Sequence, residues 1–386
     1  MKKRLVVVTA FPRLPDSPRG GVEAVSVNLV DALARHEEYD VHAVTIDRSI
    51  EANSSDQWHG ATIHRLPAAY KSLLHFAIGN GRRLIGDFVE GLKPDIVHSH
   101  DTYGMMVQNC RCPKVFTVHG FIHEDTRYAG GISAWIRSFL WKWHEVRGWA
   151  NQPHIISIAP HVRKRLSSMV RSTIHDIDNP ISRDLFFVKR KPDEATVFSA
   201  GFIGSRKNTI GLVKAFDLVY RANPASRLRL AGGINDPKYA DALQGVIRER
   251  GLADAVTFVG KINSEQIRQE LMKATVFALV SFEEGAPMVI SEAMAVGIPV
   301  VTSNRCGMPF MVSNKETGYL VEPDNTDMIA EHLARIISDP QLQDRLGRRS
   351  REIAMERFHP DKVAAKTIAV YEQVMAEAAA PGIVQR

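Results

Sequence analysis

Two carboxylates flank the start of a predicted helix in the second half of the chain. Glu284 lies in a polar loop after an apolar, strand-like run, and Glu292 lies inside the helix that follows. Pro287 suits the first helical position, and Gly297 suits the position after the last. The unpaired N–H groups of a helix start attract anions, whereas carboxylates accept hydrogen bonds from sugar hydroxyls. The pair therefore indicates a sugar site beside an anion site. The alternative is a charged loop with a glutamate on the helix surface.

A basic loop precedes another predicted helix. Arg206 and Lys207 follow a short apolar strand and stand just before a helix predicted for residues 209–222. Loops between a strand and a helix start commonly hold phosphate, and a guanidinium grips phosphate through two N–H groups. These two residues are therefore candidates for binding a diphosphate. Two solvated surface cations are the alternative.

The first half of the chain offers two further candidates, both placed after strands. Gly20 and Gly21 lie between the first strand and the first helix, where missing side chains let a ligand approach the backbone. His119 directly follows a strand, and its imidazole is suited to hydrogen bonding and polarising a sugar. A plain turn and a structural histidine are the alternatives. A metal site is not favoured, because the histidines nearby lack the tight spacing of a ligand set. They are His98, His100 and His123.

Short β-branched runs alternate with longer amphipathic stretches along the whole chain. This alternation predicts parallel, doubly wound α/β sheets. The predicted strands cover residues 5–9, 40–46, 96–98, 115–118, 155–158, 196–200, 227–231, 256–259, 276–280 and 299–302. The predicted helices cover residues 22–35, 209–222, 238–250, 264–274, 287–296 and 326–337. The pattern restarts near residue 195, after a segment with little periodicity at 179–194, so we expect two successive α/β halves.

Length and composition are those of a globular protein. The 386 residues are 45% hydrophobic and 24% charged, which suggests two or three domains. The start at residues 1–8 predicts a buried strand, because its apolar run is too short for a signal peptide. Three cysteines are too few for a disulfide framework and indicate a reducing cytosol. The net charge of +6 favours anionic ligands, but no nucleic-acid motif accompanies it, and a basic protein without a polyanion partner is the alternative.

A tryptophan-rich segment lies between Trp135 and Trp149. One helical stripe in it is apolar throughout, which predicts a face buried in the core. That stripe consists of Ile132, Ile136, Phe139, Trp143 and Val146. Trp141 lies off the stripe, near Arg137 and Lys142, and this leaves docking on a lipid surface open as the alternative.

The longest motif has the pattern EGxPxxxxEAMAxGxPVV, from Glu284 to Val301. It resembles the signature of retaining glycosyltransferase family 4, the group 1 glycosyltransferases, which have the GT-B fold of two Rossmann-like domains facing across a cleft. The resemblance covers most of the chain. It implies that Glu284 contacts hydroxyls of the transferred sugar and that Glu292 holds the ribose of the donor nucleotide.

The same resemblance assigns the remaining candidates. It implies that Lys207 binds the donor diphosphate, but Phe202 occupies the position where the family has an arginine, and Arg206 is the candidate substitute. The Gly20–Gly21 loop would flank the donor phosphates and the acceptor, and His119 would lie near the donor sugar. The donor-binding residues expected at the helix start after Glu284 are Gly285, Ala286, Met288 and Val289.

The resemblance also implies which domain binds each substrate and which reaction the protein catalyses. Residues 1–180 would bind the acceptor, residues 181–359 would bind the donor, and a C-terminal helix at 360–376 would pack back on the first domain. The expected reaction moves a hexosyl group from a nucleoside-diphosphate sugar to an acceptor hydroxyl, with retention and without a metal or other cofactor. Bacterial glycan or glycolipid assembly is the usual role of such relatives. The acceptor would be a glycan, a lipid-linked sugar or a small molecule.

Two other functions stay open at this point. One is a nucleotide-sugar epimerase or a sugar phosphorylase on the same fold, because a fold alone does not determine chemistry. The other is a protein that binds a sugar nucleotide without turning it over. The expected location is cytoplasmic, with peripheral contact at the inner face of a membrane left open.

Overall fold

A computed structural model describes residues 2–123 and 132–380. Within those residues the chain forms two compact units. The first runs to Pro15, from Arg19 to Pro180 and again from Pro360 onward. The second contains Asp16–Pro18 and Ile181–His359.

The first unit is built on an eight-stranded sheet. Its strands are β1 (Lys3–Val8), β2 (Tyr39–Asp47), β3 (Ser54–Trp58), β4 (Ala61–Pro67), β5 (Ile96–His100), β6 (Lys114–Val118), β7 (His154–Ser157) and β8 (Thr173–Asp176). The order across the sheet is β3-β4-β2-β1-β5-β6-β7-β8. All neighbours are parallel except β3 and β4, which form an antiparallel pair at one edge.

Helices cover both faces of this sheet. They are α1 (Gly21–Ala34), α2 (Leu73–Ile78), α3 (Asn80–Gly91), α4 (Tyr103–Met106), α5 (Ile132–Ala150), α6 (Pro160–Leu166) and the C-terminal helix, named α13 below (Pro360–Ala379). Leu5 and Val7 of β1 pack toward α1 and α13, and Val6 and Val8 pack toward α3 and α4. A central parallel strand buried on both faces is apolar at every position, which is why β1 is a continuous hydrophobic run.

The second unit has a six-stranded, fully parallel sheet. Its strands are β9 (Thr196–Ala200), β10 (Arg227–Ala231), β11 (Val256–Gly260), β12 (Val276–Leu279), β13 (Val300–Ser303) and β14 (Gly318–Val321). The order is β11-β10-β9-β12-β13-β14. The helices are α7 (Thr209–Ala222), α8 (Pro237–Glu249), α9 (Ser264–Lys273), α10 (Met288–Val296), α11 (Thr326–Ser338) and α12 (Pro340–Arg357). The predicted α/β class with parallel sheets is confirmed.

The prediction for the tryptophan-rich segment was wrong. The stripe expected in the core belongs to α5, and Ile136, Phe139 and Trp143 are exposed. Trp141, which lies off that stripe, is buried. The helix therefore packs on its unit through the side that carries Trp141. Sequence periodicity identifies an apolar face of a helix, but it does not show whether that face is covered. Among the helices that the structure describes, none has the length and apolar character that crossing a bilayer requires.

Candidate active site

The Lys207 ammonium and the Glu284 carboxylate are in direct contact in the second unit. Lys207 Nζ donates to Glu284 Oε1. The two residues are 77 positions apart in sequence, and the side chains are 14% and 9% exposed. Lys207 follows β9 and Glu284 follows β12, and these strands are neighbours in the sheet. The carboxyl ends of parallel strands form one edge, so a loop cation and a loop carboxylate meet there.

Asn208 holds the loop that carries Lys207. A short 3₁₀ helix at Ser205–Lys207 ends at Asn208, whose backbone is left-handed with φ 53°. The buried Asn208 amide donates to the carbonyl of Pro323 at 2.7 Å and to that of Val280 at 3.3 Å. Asparagine tolerates the left-handed region better than most residues. Asn208 therefore positions Lys207, a role that the sequence motif alone did not reveal.

The backbone also ties the two loops together beside Arg206. The N–H of Phe282 donates to the Arg206 carbonyl at 2.9 Å. The Arg206 side chain is half-buried, whereas Phe202, at the expected arginine position, is exposed. Arg206 is thus held one residue from Lys207 on the loop where a diphosphate is expected.

Gly307 supports the loop of Glu284 from behind. The Gly307 N–H donates to the Glu284 carbonyl at 2.9 Å. A Cβ at position 307 would lie 1.5 Å from the carbonyl oxygen of Gly285. No side chain fits at that distance, so only glycine lets the two segments approach. Gly307 lies outside the motif, and sequence reasoning missed it.

Helix α10 presents its first turn beside Glu284. Pro287 caps the helix, and Met288 is the first helical residue, one later than predicted. Gly297 ends the helix in a left-handed conformation, as predicted. Within the described residues, the N–H groups of Met288 and Val289 have no acceptor, because the first N–H groups of any helix lack an intrahelical partner. Gly285 and Ala286 are partly exposed beside them.

Glu292 lies one turn further along α10. Burial raises the pKa of Glu292 to about 7. In the part of the chain that the structure describes, its carboxyl has no hydrogen-bond or ion-pair partner. An unpaired carboxyl with a raised pKa is typical of a functional site, because hydroxyls of a ligand can supply the missing hydrogen bonds.

His119 belongs to a histidine cluster in the first unit. Its Nε2 lies 2.8 Å from His100 Nδ1, and its backbone N–H donates to Asp101 Oδ1 at 2.9 Å. Burial lowers the pKa of His119, so the imidazole is neutral at pH 7. A neutral ring supports hydrogen bonding to a sugar better than it supports charge stabilisation.

The same cluster extends to the C-terminal helix. His98 Nδ1 lies 2.6 Å from the Tyr371 hydroxyl, and His98 Nε2 lies 2.7 Å from Thr117 Oγ1. Burial lowers the pKa of His98 to about 3. No group of His, Cys, Asp or Glu within residues 2–123 and 132–380 is arranged to hold a metal ion.

The Gly20–Gly21 loop opens α1 at the surface of the first unit. Gly20 has an extended backbone with φ −169°, which any residue can adopt. A Cβ at Gly20 would meet no atom within 4 Å. The fold itself therefore does not require glycine at position 20, and close approach of a ligand is a sufficient reason for it.

An arginine-lined cavity lies beside this loop, at the carboxyl ends of β1 and β2. Its volume is about 450 Å³. The charged residues that line it are Arg13, Arg19, Glu23, Asp47, Arg48 and Arg65. The guanidinium of Arg65 is anchored by the carbonyls of Phe11 and Pro12. Sequence reasoning missed this cavity, because its arginines are scattered over some 50 residues without a motif.

Comparisons with known families cover both units. The model for Glycosyltransferase Family 4 matches residues 19–185, and the model for Glycosyl transferases group 1 matches residues 182–353. The chain is a group 1 glycosyltransferase. The resemblance seen in the motif from Glu284 to Val301 is thereby confirmed.

Individual relatives are distant. This glycosyltransferase is 27% identical over 318 residues to an MMP alpha-(1->4)-mannosyltransferase of Mycolicibacterium hassiacum, covering 78% of this chain and 74% of that protein. It is also 27% identical to an N-acetyl-alpha-D-glucosaminyl L-malate synthase of Bacillus anthracis over 169 residues. That match covers 44% of this chain and 43% of that relative.

Solved structures show the GT-B fold. A sucrose-phosphate synthase from Thermosynechococcus elongatus is 22% identical, with a TM-score of 0.80 over 97% of this chain and 100% of that chain. Anabaena HepE in complex with UDP is 16% identical, with a TM-score of 0.72 over 96% of this chain and 100% of that chain. The predicted fold is confirmed.

Proposed function

We propose that this glycosyltransferase moves a hexosyl group from a nucleoside-diphosphate sugar to an acceptor hydroxyl with retention of configuration. The contact between Lys207 and Glu284 carries this proposal. A cation and a carboxylate in one place match the two ends of a sugar–phosphate bond, because the ammonium attracts phosphate oxygens and the carboxylate accepts from sugar hydroxyls.

The donor binds the second unit in this account. Lys207 and Arg206 hold the diphosphate, together with the N–H groups of Met288 and Val289. The hydroxyls of the ribose bond to Glu292, and those of the transferred sugar bond to Glu284. Structural neighbours support such a donor, since HepE was solved in complex with UDP and with UDP-glucose. A Mycobacterium tuberculosis relative is a GDP-mannose-dependent mannosyltransferase, so the test below compares donors with different bases.

In the chemical step, the bond between the anomeric carbon and the phosphate oxygen breaks, and a bond from that carbon to the acceptor oxygen forms on the same face. The acceptor proton passes to the departing phosphate, and the nucleoside diphosphate is released. Negative charge grows on the phosphate as this happens. Lys207 and Arg206 stabilise it, and positioned charges of this kind are the largest contribution in many enzymes.

No metal is needed in this proposal, because the two cationic side chains take the place of a divalent ion at the diphosphate. A rate that is unchanged by EDTA supports this, and a rate that collapses with EDTA and returns with Mg²⁺ or Mn²⁺ contradicts it.

The acceptor binds the first unit. The arginine-lined cavity carries four guanidinium groups against two carboxylates, so it favours an acceptor that bears a phosphate or carboxylate. An anionic acceptor also fits the similarity to the N-acetyl-alpha-D-glucosaminyl L-malate synthase of Bacillus anthracis, since malate carries carboxylates.

The test is release of nucleoside diphosphate from UDP-, GDP-, ADP- and dTDP-sugars, with neutral and anionic acceptors. We expect release that depends on an acceptor and falls at least 100-fold in Lys207→Met. The exposed Lys273 provides a matched control, and Lys273→Met should behave as wild type. Release without any acceptor, or an unaffected Lys207→Met, contradicts transfer by this site.

A further inference from the structure

Helix α5 exposes a row of large apolar side chains. Ile136 is 58% exposed, Phe139 65%, Leu140 43% and Trp143 48%. With 100° of rotation per residue, these four positions fall within a sector of about 100° on one side of the helix. We name this sector the apolar face of α5. Contiguous exposed patches of this kind mark interaction sites more often than isolated exposed residues do.

The helix is anchored through its opposite side. Trp141 and Trp149 are buried there, and Trp149 packs edge-on against Phe121 at 5.6 Å between ring centroids. The buried Glu145 carboxylate accepts from the backbone N–H groups of Ile122 and His123 at 3.0 Å. The apolar face of α5 is therefore turned away from the core of its unit.

Basic residues flank the apolar face of α5. Arg137 and Lys142 lie on its two sides, and the Arg147 guanidinium stacks on the Trp143 ring at 4.5 Å. The one acidic residue of α5 is Glu145, which is buried on the anchored side. Around the exposed side, the charge that α5 itself presents is entirely positive.

Neighbouring elements add to this positive charge. Burial lowers the pKa of His144, and the nearby charges of Arg82 of α3 and of Arg147 lower it further. Arg82 also lines a cavity of about 690 Å³. Its other charged residues are Arg83, Asp87, Glu90, Lys93 and Arg111, so it carries two more positive than negative groups.

We propose that the apolar face of α5 docks this glycosyltransferase on an anionic phospholipid bilayer. The helix lies in the plane of the interface, its aromatic side chains enter the boundary between headgroups and acyl chains, and its basic residues contact the phosphates. Tryptophan and phenylalanine on one side with lysine and arginine around it are typical of interfacial helices.

A second copy of the chain fits this face less well. Two copies paired through α5 would bring Arg137, Lys142 and Arg147 of each toward the same residues of the other, and like charges at an interface are unfavourable. An anionic surface complements the same residues. Docking is independent of the proposed transfer, because vesicle binding is measured without any sugar nucleotide.

The test is flotation of the full chain with vesicles of phosphatidylcholine alone and of phosphatidylcholine mixed with phosphatidylglycerol. We expect binding to the anionic vesicles that weakens with salt. The double variant Phe139→Ser/Trp143→Ser should weaken it on the order of 100-fold, since less apolar area enters the interface. Arg137→Gln/Lys142→Gln should weaken it roughly 10- to 30-fold, at about fivefold per basic residue near the surface.

Phe187, which is 72% exposed in the second unit, provides a matched control, and Phe187→Ser should bind anionic vesicles as wild type does. Thermal unfolding of each variant shows that the fold is intact. The proposal is overturned if wild type binds neither vesicle, or if Phe139→Ser/Trp143→Ser binds as wild type. It is also overturned if wild type does not bind vesicles but forms a dimer, and Phe139→Ser/Trp143→Ser is monomeric. A second copy of the chain then covers the apolar face of α5.

Discussion

Replacing Glu292 with glutamine should stabilise the ligand-free protein and weaken nucleotide binding at the same time. Burial raises the pKa of Glu292 from an ordinary 4.5 to about 7. That difference corresponds to roughly 3 kcal/mol at 1.36 kcal/mol per pKa unit. Water reaches part of the half-buried side chain, so we expect Glu292→Gln to raise the free energy of unfolding by only about 1–2 kcal/mol.

The size of this stability difference between Glu292→Gln and wild type depends on pH. A carboxyl whose pKa is raised by folding is protonated in both states below pH 4.5, so Glu292→Gln and wild type should be equally stable there. As pH rises toward 7 the unfolded state ionises freely and the folded state does not, and wild type loses stability. At pH 8 Glu292→Gln should therefore be more stable by about 1–2 kcal/mol.

Nucleotide binding should change in the opposite direction. An ionised carboxylate accepts hydrogen bonds from both ribose hydroxyls, and losing bonds to a charged group costs about 1.5–3 kcal/mol, or roughly 10- to 100-fold in affinity. Urea unfolding between pH 4 and 8 measures the change in stability. Calorimetric titration with UDP, GDP, ADP and dTDP measures the change in nucleotide affinity.

A matched control is Glu249→Gln, since Glu249 is exposed on α8. Glu249→Gln should change neither the free energy of unfolding nor the nucleotide affinity. If Glu292→Gln has the wild-type stability at pH 8, burial does not raise the pKa of Glu292 as described. If it binds nucleotide as wild type does, Glu292 does not hold the ribose.

Three further substitutions test other contacts. Gly307→Ala should destabilise the second unit by about 1–3 kcal/mol in urea unfolding and lower turnover, because its Cβ would meet the Gly285 carbonyl at 1.5 Å. Tyr371→Phe leaves His98 Nδ1 without its partner at 2.6 Å. It should lower stability by about 1–3 kcal/mol without changing nucleotide affinity by calorimetry. Arg206→Ala should weaken nucleotide-sugar binding by about 10-fold or more, and an unchanged affinity would remove Arg206 from the diphosphate site.

Sequence periodicity predicted the central strands and helices of the second unit well. β9, α7 and β10 have the predicted bounds. β9 is a short, mostly apolar run, β10 alternates arginine with leucine, and α7 is a helix with one apolar stripe. The edge strand β3 has no such signal, since its sequence SSDQW is mostly polar and exposed. Helix α12 was missed because it is strongly polar, although Asp339 before Pro340 is a capping signal that could have found it.

The candidate site was likewise predictable from the sequence only in part. The motifs predicted Lys207 and Glu284 as separate residues, and their contact became visible only when the strand order placed β9 beside β12. The roles of Gly307 and Asn208 depend on the local conformation of the backbone. Each role is carried by a single residue, so the sequence contains no pattern that would identify it. The arginine-lined cavity gathers side chains from several loops, so no local pattern reveals it.

The most direct test of the proposed reaction is the proton NMR spectrum of its product. The enzyme is incubated with the α-linked nucleotide sugar and the acceptor that support nucleotide release, and the anomeric signal of the new glycoside is read as it forms. We predict one product, an α-glycoside, with a nucleoside diphosphate released in equal amount. A β-glycoside would contradict retention. Free sugar alone, a sugar phosphate, or an epimerised nucleotide sugar would contradict transfer itself.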